Sequence, residues 1–223
     1  MKKLCLSLLS LLFVLGVSGC QEPTYTSSDD TQEESKENNE NNNNQTPITM
    51  FQTEMEPDYE VTMEIKDYGT IVMELDEDKA PETVENFVEL VEEDFYDGLT
   101  FHRIIEGFMM QGGDPTGTGY HGSDEEIIGE FMANGCTTND LSHVRGAVSM
   151  ARSSAPDSAS SQFFIVHQNS EFLDGQYAAF GYVKEGMEVV DAICSDAQPI
   201  DDNGGIAAED QPTIIKMEVK KLD

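Results

Sequence analysis

The feature that most constrains the fold of this chain is a series of short apolar segments separated by residues that favour turns. The segments lie at residues 100–105, 107–111, 146–151, 163–167 and 178–183, with glycine, asparagine, aspartate and serine between them. Apolar runs of this length, bounded in this way, are typical of β-strands. The backbone N–H and C=O groups at the edges of a sheet need hydrogen-bond partners, and closing the sheet on itself provides them. The pattern of many short strands therefore predicts a closed all-β barrel.

Three further strands and two helices are predicted from periodicity. Val61–Asp67 and Thr70–Asp76 flank a Tyr-Gly turn and predict a β-hairpin, and Thr213–Leu222 predicts the last strand. In Pro81–Gly98 the apolar residues recur at helical spacing, and Gly186–Cys194 has the same character. We therefore expect two helices that cap the ends of the barrel.

The N-terminus has the composition of an export signal. Lys2 and Lys3 precede an apolar run that is too short for a comfortable membrane span. The end of this run, Val17–Cys20, resembles the lipobox of bacterial lipoproteins, in which the cysteine is lipidated and becomes the first residue of the mature chain. We expect residues 1–19 to be a signal peptide and Cys20 to anchor the protein outside the cytoplasm, at the cell membrane. An ordinary secretory signal is the alternative.

The segment after Cys20 differs in composition from the rest of the chain. Residues 20–57 are rich in serine, threonine, asparagine, glutamine and acidic residues, which predicts a disordered tether before a folded domain at 58–223. The whole chain of 223 residues carries 44 acidic and 12 basic side chains and a net charge of -32. Because such a surface repels phosphate backbones, no nucleic-acid partner is expected.

The cysteines and histidines do not form a recognisable metal-binding or catalytic pattern. Cys136 and Cys194 remain in the predicted domain, where a disulfide and two free thiols are both open. Neither has the Cys or His neighbours of a zinc site, and the histidines are scattered among different segments. The sequence therefore predicts no metal, no cofactor and no hydrolytic triad.

One glycine pattern resembles that of a nucleotide-binding loop. Gly117, Gly119 and Gly122 have the spacing of a dinucleotide fingerprint. Asp114-Pro115 precedes them, however, and the residues after them lack helical periodicity. Without the flanking strand and helix, the glycines are interpreted as tight turns that require positive φ.

The segment FHRIIEGFMMQGGD, Phe101–Asp114, resembles the signature segment of the cyclophilin-type peptidyl-prolyl isomerases. Gly146–Arg152, Ser160–Ile165 and Phe172–Val183 match further blocks of that family, in the same order and at similar spacing. The resemblance covers residues 59–223 and implies a mainly β fold, a closed antiparallel eight-stranded barrel with two α-helices. It also implies a cofactor-free, monomeric isomerase that acts on proline-containing polypeptides.

The resemblance also assigns roles to residues. Arg103 matches the catalytic arginine, which contacts the backbone of the proline and favours a pyramidal nitrogen. The residues that match the family's substrate groove are Phe108, Met109, Gln111, Ala151, Arg152, Gln162, Phe164, Phe172, Leu173 and Tyr177.

Strand alternation makes a separate prediction about the first block. If residues 101–105 form a regular strand, Phe101, Arg103 and Ile105 share one face and His102 and Ile104 share the other. Outside the groove, the side chains of Met150, Phe163 and Ile165 are predicted to belong to the core. Residues 201–205 are predicted to form a turn.

The chain departs from the better-known eukaryotic members at the rim of the groove. It has no tryptophan, and Phe172 stands where those members carry an indole that hydrogen-bonds cyclosporin. Tyr177 replaces a histidine, and Arg152 replaces an asparagine. Tight cyclosporin binding is therefore not expected.

The function predicted from the sequence is a membrane-anchored prolyl isomerase that assists the folding of exported proteins. A binding module that holds proline-containing peptides without turnover is one alternative. A solute-binding lipoprotein is another, but the folded part is short for two lobes around a ligand. The retention of Arg103, Phe108, Gln111 and Phe164 together favours the enzyme.

Overall fold

The computed structural model describes residues 51–223, which form one curled antiparallel sheet of eight strands and two α-helices. The predicted signal peptide and Cys20 lie outside the described residues. No helix within residues 51–223 is long and apolar enough to cross a membrane. The strands are β1 (Tyr59–Ile65), β2 (Gly69–Leu75), β3 (Thr100–Ile105), β4 (Met109–Asp114), β5 (Ala147–Met150), β6 (Phe163–Val166), β7 (Ala179–Glu185) and β8 (Ile214–Lys221).

The prediction of a closed barrel is wrong, because the sheet is an open half-barrel. The strand order is β3-β4-β6-β5-β7-β2-β1-β8, so β3 and β8 are the two edges. Thr100 of β3 forms an isolated bridge with Thr213, the residue before β8, and the two edges share no continuous ladder. The segment before β8 covers the outer edge of β3 instead: Ile104 donates to the carbonyl of Gly204 at 2.8 Å, and Ile206 donates to that of His102 at 2.9 Å. An edge covered by a loop needs no strand to close it.

Both predicted helices form, but the first ends at Glu92, earlier than the predicted end before Gly98, because residues 93–98 form turns with Asp94 at a φ of 56°. α1 (Pro81–Glu92) begins with the proline at its first turn and packs against β8. α2 (Met187–Asp196) follows Gly186, whose φ of 93° requires glycine, and packs against β2 and β4. Cys194 lies buried on α2, and both Cys194 and Cys136 are free thiols.

The sheet separates two apolar clusters. The larger one, here called the main core, contains the buried faces of both helices and includes Met150, Phe163 and Ile165, as predicted. The smaller one, here called the pocket cluster, lies on the other face. Its buried members are Met109, Ala147, Phe164, Val166 and Leu173.

The first described residues lie on the domain, although the sequence assigns them to the tether. Gln52 donates from its backbone to the carbonyl of Asp140 at 2.8 Å, and its own carbonyl accepts from Ser142 at 2.8 Å. The chain thus enters the domain beside the segment that precedes β5.

Candidate active site

A bulge in β3 decides which residues face the cleft. Phe101 pairs with Gly112 and Arg103 with Gln111, so His102 is an extra residue on β3. As a result, Phe101 and Ile104 both lie in the main core. The predicted shared face of Phe101, Arg103 and Ile105 is therefore wrong. The bulge turns Arg103 and Ile105 toward the pocket cluster without Phe101.

The predicted site residues come together around one cleft of about 330 Å³. The floor is apolar and largely buried, with Met109, Phe164 and Leu173 between 1% and 8% exposed. Gln162 is the predicted substrate-binding residue that does not line this cleft. The lining residues are Arg103, Phe108, Met109, Gln111, Ala151, Arg152, Phe164, Phe172, Leu173 and Tyr177.

Arg103 is held by uncharged acceptors. Its Nε donates to the carbonyl of Asn203 at 2.7 Å, and its Nη1 donates to Oε1 of Gln111 at 3.2 Å. Within residues 51–223 it forms no ion pair with a carboxylate, although the chain is strongly acidic. Burial lowers the pKa of Arg103 from its ordinary value, yet a guanidinium stays protonated at any physiological pH. A positive charge with spare donors thus lies at the edge of a cleft with an apolar floor.

The carbonyl that holds Arg103 comes from the loop at residues 201–205. The carboxylate of Asp201 accepts the backbone N–H of Asn203 at 2.8 Å and that of Gly205 at 3.1 Å, which confirms the predicted turn. The contribution of Asn203 to the site was not predicted. The contact is made by a backbone oxygen 100 positions from the arginine in the sequence, so no side-chain motif indicates it.

A row of amide side chains continues from Arg103 along one rim of the cleft. Gln111 donates from Nε2 to Oε1 of Gln162 at 2.9 Å. Gln162 donates in turn to the carbonyl of His121 at 2.6 Å. Gln162 is therefore connected to the cleft through Gln111, and the row places polar groups beside the cleft.

Aromatic rings form another part of the rim. Phe172 is 71% exposed, and its ring centroid lies 5.6 Å from that of Phe108. The guanidinium carbon of Arg152 lies 4.8 Å from the ring centroid of Phe131 and 4.6 Å from that of Tyr177. Arg152 thereby holds the Tyr177 ring through cation–π contacts.

A buried polar network supports the floor from behind. The ring of His143 stacks on Phe164 with a centroid distance of 6.0 Å. His143 Nδ1 lies 2.9 Å from Asp174 Oδ1, and Nε2 lies 3.0 Å from Ser149 Oγ. These are the three residue types of a hydrolytic triad, but Ser149 and His143 are completely buried, so no substrate carbonyl reaches the hydroxyl. The network holds the floor together, and sequence spacing did not reveal it.

The glycine-rich loop is organised around an internal carboxylate. Asp114 is 1% exposed and accepts backbone N–H groups from Thr116 at 2.7 Å and Thr118 at 3.2 Å, and also from Gly119. Burial raises the pKa of Asp114, but these hydrogen bonds outweigh it and lower the pKa to about 2. The loop amides that would cradle a phosphate therefore point inward, and the φ angles of 64° at Gly117 and 84° at Gly119 confirm the interpretation for these two residues. It is wrong for Gly122, which has no positive φ and is instead required because a Cβ there would clash with the side chain of Ser160.

Comparisons with known proteins agree with this geometry. The sequence model of a family described as cyclophilin type peptidyl-prolyl cis-trans isomerase/CLD matches residues 60–219. Peptidyl-prolyl cis-trans isomerase B of Bacillus subtilis is 46% identical over 124 residues, which cover 56% of this chain and 82% of that protein. Peptidyl-prolyl cis-trans isomerase A of Dickeya dadantii is 45% identical over 130 residues, which cover 56% of this chain and 66% of that protein.

A solved structure shares the fold. The crystal structure of a cyclophilin-type isomerase from Cryptosporidium parvum, determined in the presence of the dipeptide Ala-Pro, superposes with a TM-score of 0.63 at 29% identity. The alignment covers 72% of this chain and 98% of that one. The chain belongs to the cyclophilin-type peptidyl-prolyl cis-trans isomerase family.

Proposed function

We propose that this isomerase acts on the Xaa-Pro bonds of exported polypeptides from a lipid anchor at the outer face of the cell membrane, with Arg103 as the catalytic donor. The observation that carries the proposal is the placement of Arg103. It is a half-buried cation without a carboxylate partner among the described residues, and it lies beside an apolar cleft.

The reaction requires the amide to twist. Amide resonance creates a barrier of about 18–20 kcal/mol, and an unassisted Xaa-Pro bond isomerises in tens to hundreds of seconds. In the twisted state the nitrogen regains a lone pair. A donor fixed near that nitrogen stabilises the twisted state more than either planar isomer, which accelerates the reaction.

The cleft has the groups that this chemistry needs. The apolar side chains of Phe108, Met109 and Phe164 suit a pyrrolidine ring and exclude water from it. Arg103 is restrained through Nε and Nη1, which leaves Nη2 to donate to the prolyl residue. Gln111 extends the polar side toward the neighbouring peptide group. No metal, nucleotide or covalent nucleophile is required.

The proposed location rests on the N-terminal sequence. A lipidated Cys20 followed by a long polar segment would keep the domain close to polypeptides that emerge unfolded from the export machinery. Slow Xaa-Pro isomerisation limits the folding of such chains.

The catalytic proposal is tested by comparing full-length wild type with Arg103→Ala in a prolyl isomerisation assay on a test peptide. We expect kcat/KM to fall about 100-fold to 1,000-fold in the variant, as on removal of a transition-state donor elsewhere. Lys220→Ala is the matched control, because it removes one positive charge from an exposed site on β8. Equal rates for Arg103→Ala and wild type would exclude the mechanism, and a wild-type rate at background would favour a binding module.

The location is tested by labelling cells with radioactive palmitate. We expect wild type to incorporate label and to sediment with membranes, and Cys20→Ser to do neither. A wild-type protein that is secreted free of label would indicate an ordinary secretory signal.

A further inference from the structure

A buried histidine behind the cleft links the β3–β4 turn to α2. His167 follows β6 and is 7% exposed. Its Nδ1 accepts the backbone N–H of Gly107 at 2.8 Å, and its Nε2 lies 3.1 Å from Oδ1 of Asp191. Gly107 precedes Phe108, whose ring forms one wall of the cleft. A single hydrogen bond therefore joins the imidazole to the segment that carries Phe108.

The hydrogen bonds fix where the imidazole carries its proton. A backbone N–H only donates, so Nδ1 of His167 must present a lone pair to Gly107. The single proton of the neutral ring then lies on Nε2, which donates it to Asp191. This pattern is satisfied at both nitrogens by the neutral ring alone.

Protonation of His167 opposes the bond to the turn. A proton on Nδ1 would face the N–H of Gly107 across 2.8 Å, and two donors cannot share a hydrogen bond. The backbone N–H of His167 would still donate to the carbonyl of Phe108 at 2.8 Å. The turn would thus lose its side-chain contact and be held on this side by main-chain hydrogen bonds to the carbonyl of Phe108, from His167 and, at 3.5 Å, from Gln168.

The charged groups around the ring act in opposite directions. Asp191 on α2 favours the imidazolium, but Arg145 already pairs with both of its oxygens at 2.7 and 2.8 Å. Hydrogen bonds from Arg145 lower the pKa of Asp191, so this carboxylate stays ionised at mildly acidic pH. Arg145 also donates to the carbonyl of His167 at 2.8 Å and repels a second positive charge. The other titratable groups of this cluster are Glu106 on the turn and Cys194 on α2.

We propose that His167 is a positioning residue whose neutral form holds the β3–β4 turn, and with it Phe108, in the geometry required for isomerisation. Protonation of His167 would break its bond to Gly107 and release the turn, so the activity of the cleft declines when the ring is protonated. The inference rests on the proposed function of the cleft and adds a group that does not touch the substrate.

The test measures kcat/KM of the full chain between about pH 5 and pH 8 on a proline peptide that has no group titrating in that range. We expect wild type to lose about fivefold at the acidic end, the effect of one net hydrogen bond. His167→Asn places an oxygen two bonds beyond Cβ, as Nδ1 is, and cannot titrate, so its profile should be flat. His167→Leu has no acceptor at any pH, so its kcat/KM should be about fivefold below that of wild type at the alkaline end and about equal to it at the acidic end. An acid decline in His167→Asn equal to that of wild type would overturn the proposal.

Proton NMR of the same full chain separates this inference from the proposed function. The amide signal of Gly107 should shift with the same midpoint as the ring signals of His167. A Gly107 signal that stays constant while His167 titrates would overturn the proposal that His167 holds the turn, whatever the activity. Inactivity of wild type at about pH 8, together with a shifting Gly107 signal, would instead refute the assignment of the cleft and its dependence on His167.

Discussion

Two neighbouring phenylalanines on β6 belong to regions of opposite character. Phe163 is completely buried in the main core, where its ring meets those of Phe87 at 5.4 Å and Tyr96 at 5.6 Å. Phe164 lies on the other face, between the ring of His143 at 6.0 Å and that of Tyr177 at 6.0 Å, and its surface forms the floor of the cleft. Strand alternation alone separates the two roles.

The difference shows how the protein combines stability with an open apolar surface. The main core is closed by apolar side chains and by Tyr96, whose hydroxyl donates to the carbonyl of Ser161 at 3.0 Å. The pocket cluster leaves one side open for a ligand and is supported from behind by His143, Ser149 and Asp174. Because each of these polar groups is paired, the support avoids the cost of an unsatisfied group.

The largest expected effect comes from Phe163→Ala. Removing this ring leaves a cavity in a closed core, and we expect the free energy of unfolding to fall by about 3–5 kcal/mol. Urea unfolding followed by far-ultraviolet circular dichroism measures this change, since the chain has no tryptophan. The folded fraction should keep its activity per molecule, and a loss below about 1 kcal/mol would contradict the closed core.

Phe164→Ala is the matched change on the opposite face. It enlarges a cleft that is already open to solvent, so we expect a smaller loss of stability and a fall in kcat/KM of at least about tenfold. The isomerisation assay on the full chain measures the fall. If Phe164→Ala is as destabilising as Phe163→Ala but fully active, the two faces do not have different roles.

The predictions from sequence succeeded where the information is local. The β1–β2 hairpin, α1, α2 and β8 form within a few residues of their predicted bounds, because alternation, a proline at a helix start and a glycine at a turn act over short distances. The family resemblance predicted which distant residues meet at the cleft, since it reflects a whole fold and not a local pattern.

The features that the sequence did not predict depend on contacts between distant segments. The bulge at His102 arises from the register between β3 and β4, and it reverses the face assigned to Phe101. The open sheet results from a loop that covers β3. The backbone carbonyl of Asn203 carries no signal in the sequence, although it orients Arg103.

The polar support behind the floor provides the next prediction. His143→Leu removes a ring that binds Asp174 and Ser149, and we expect a loss of about 2–3 kcal/mol from the partners left unpaired. A double-mutant cycle with Ser149→Ala measures the coupling between the two positions. Additive effects of the two changes would show that the network does not act as a unit.

A second buried polar centre, Asp114, should respond to pH. Its pKa of about 2 in the folded protein lies below the ordinary value of 3.8, so its ionised form stabilises the fold above about pH 4. This contribution, about 2 kcal/mol, disappears as the pH falls from about 4 to 2. Comparing the unfolding of wild type and Asp114→Asn should show a difference at neutral pH that shrinks in acid. A constant difference would contradict this role.

The smallest effect is expected at the exposed edge of the cleft. Phe172 contacts Phe108 from the rim and is 71% exposed, so its ring loses little contact with water on folding. Phe172→Ala should leave the free energy of unfolding unchanged within about 0.5 kcal/mol. It should lower kcat/KM about twofold to threefold, because the substrate loses its contact with the Phe172 ring at the rim. Arg103 and the floor of the cleft remain in place. A stability loss near that of Phe163→Ala would place Phe172 with the closed core. A loss of activity near that of Phe164→Ala would instead place the energetic centre of the cleft at its rim.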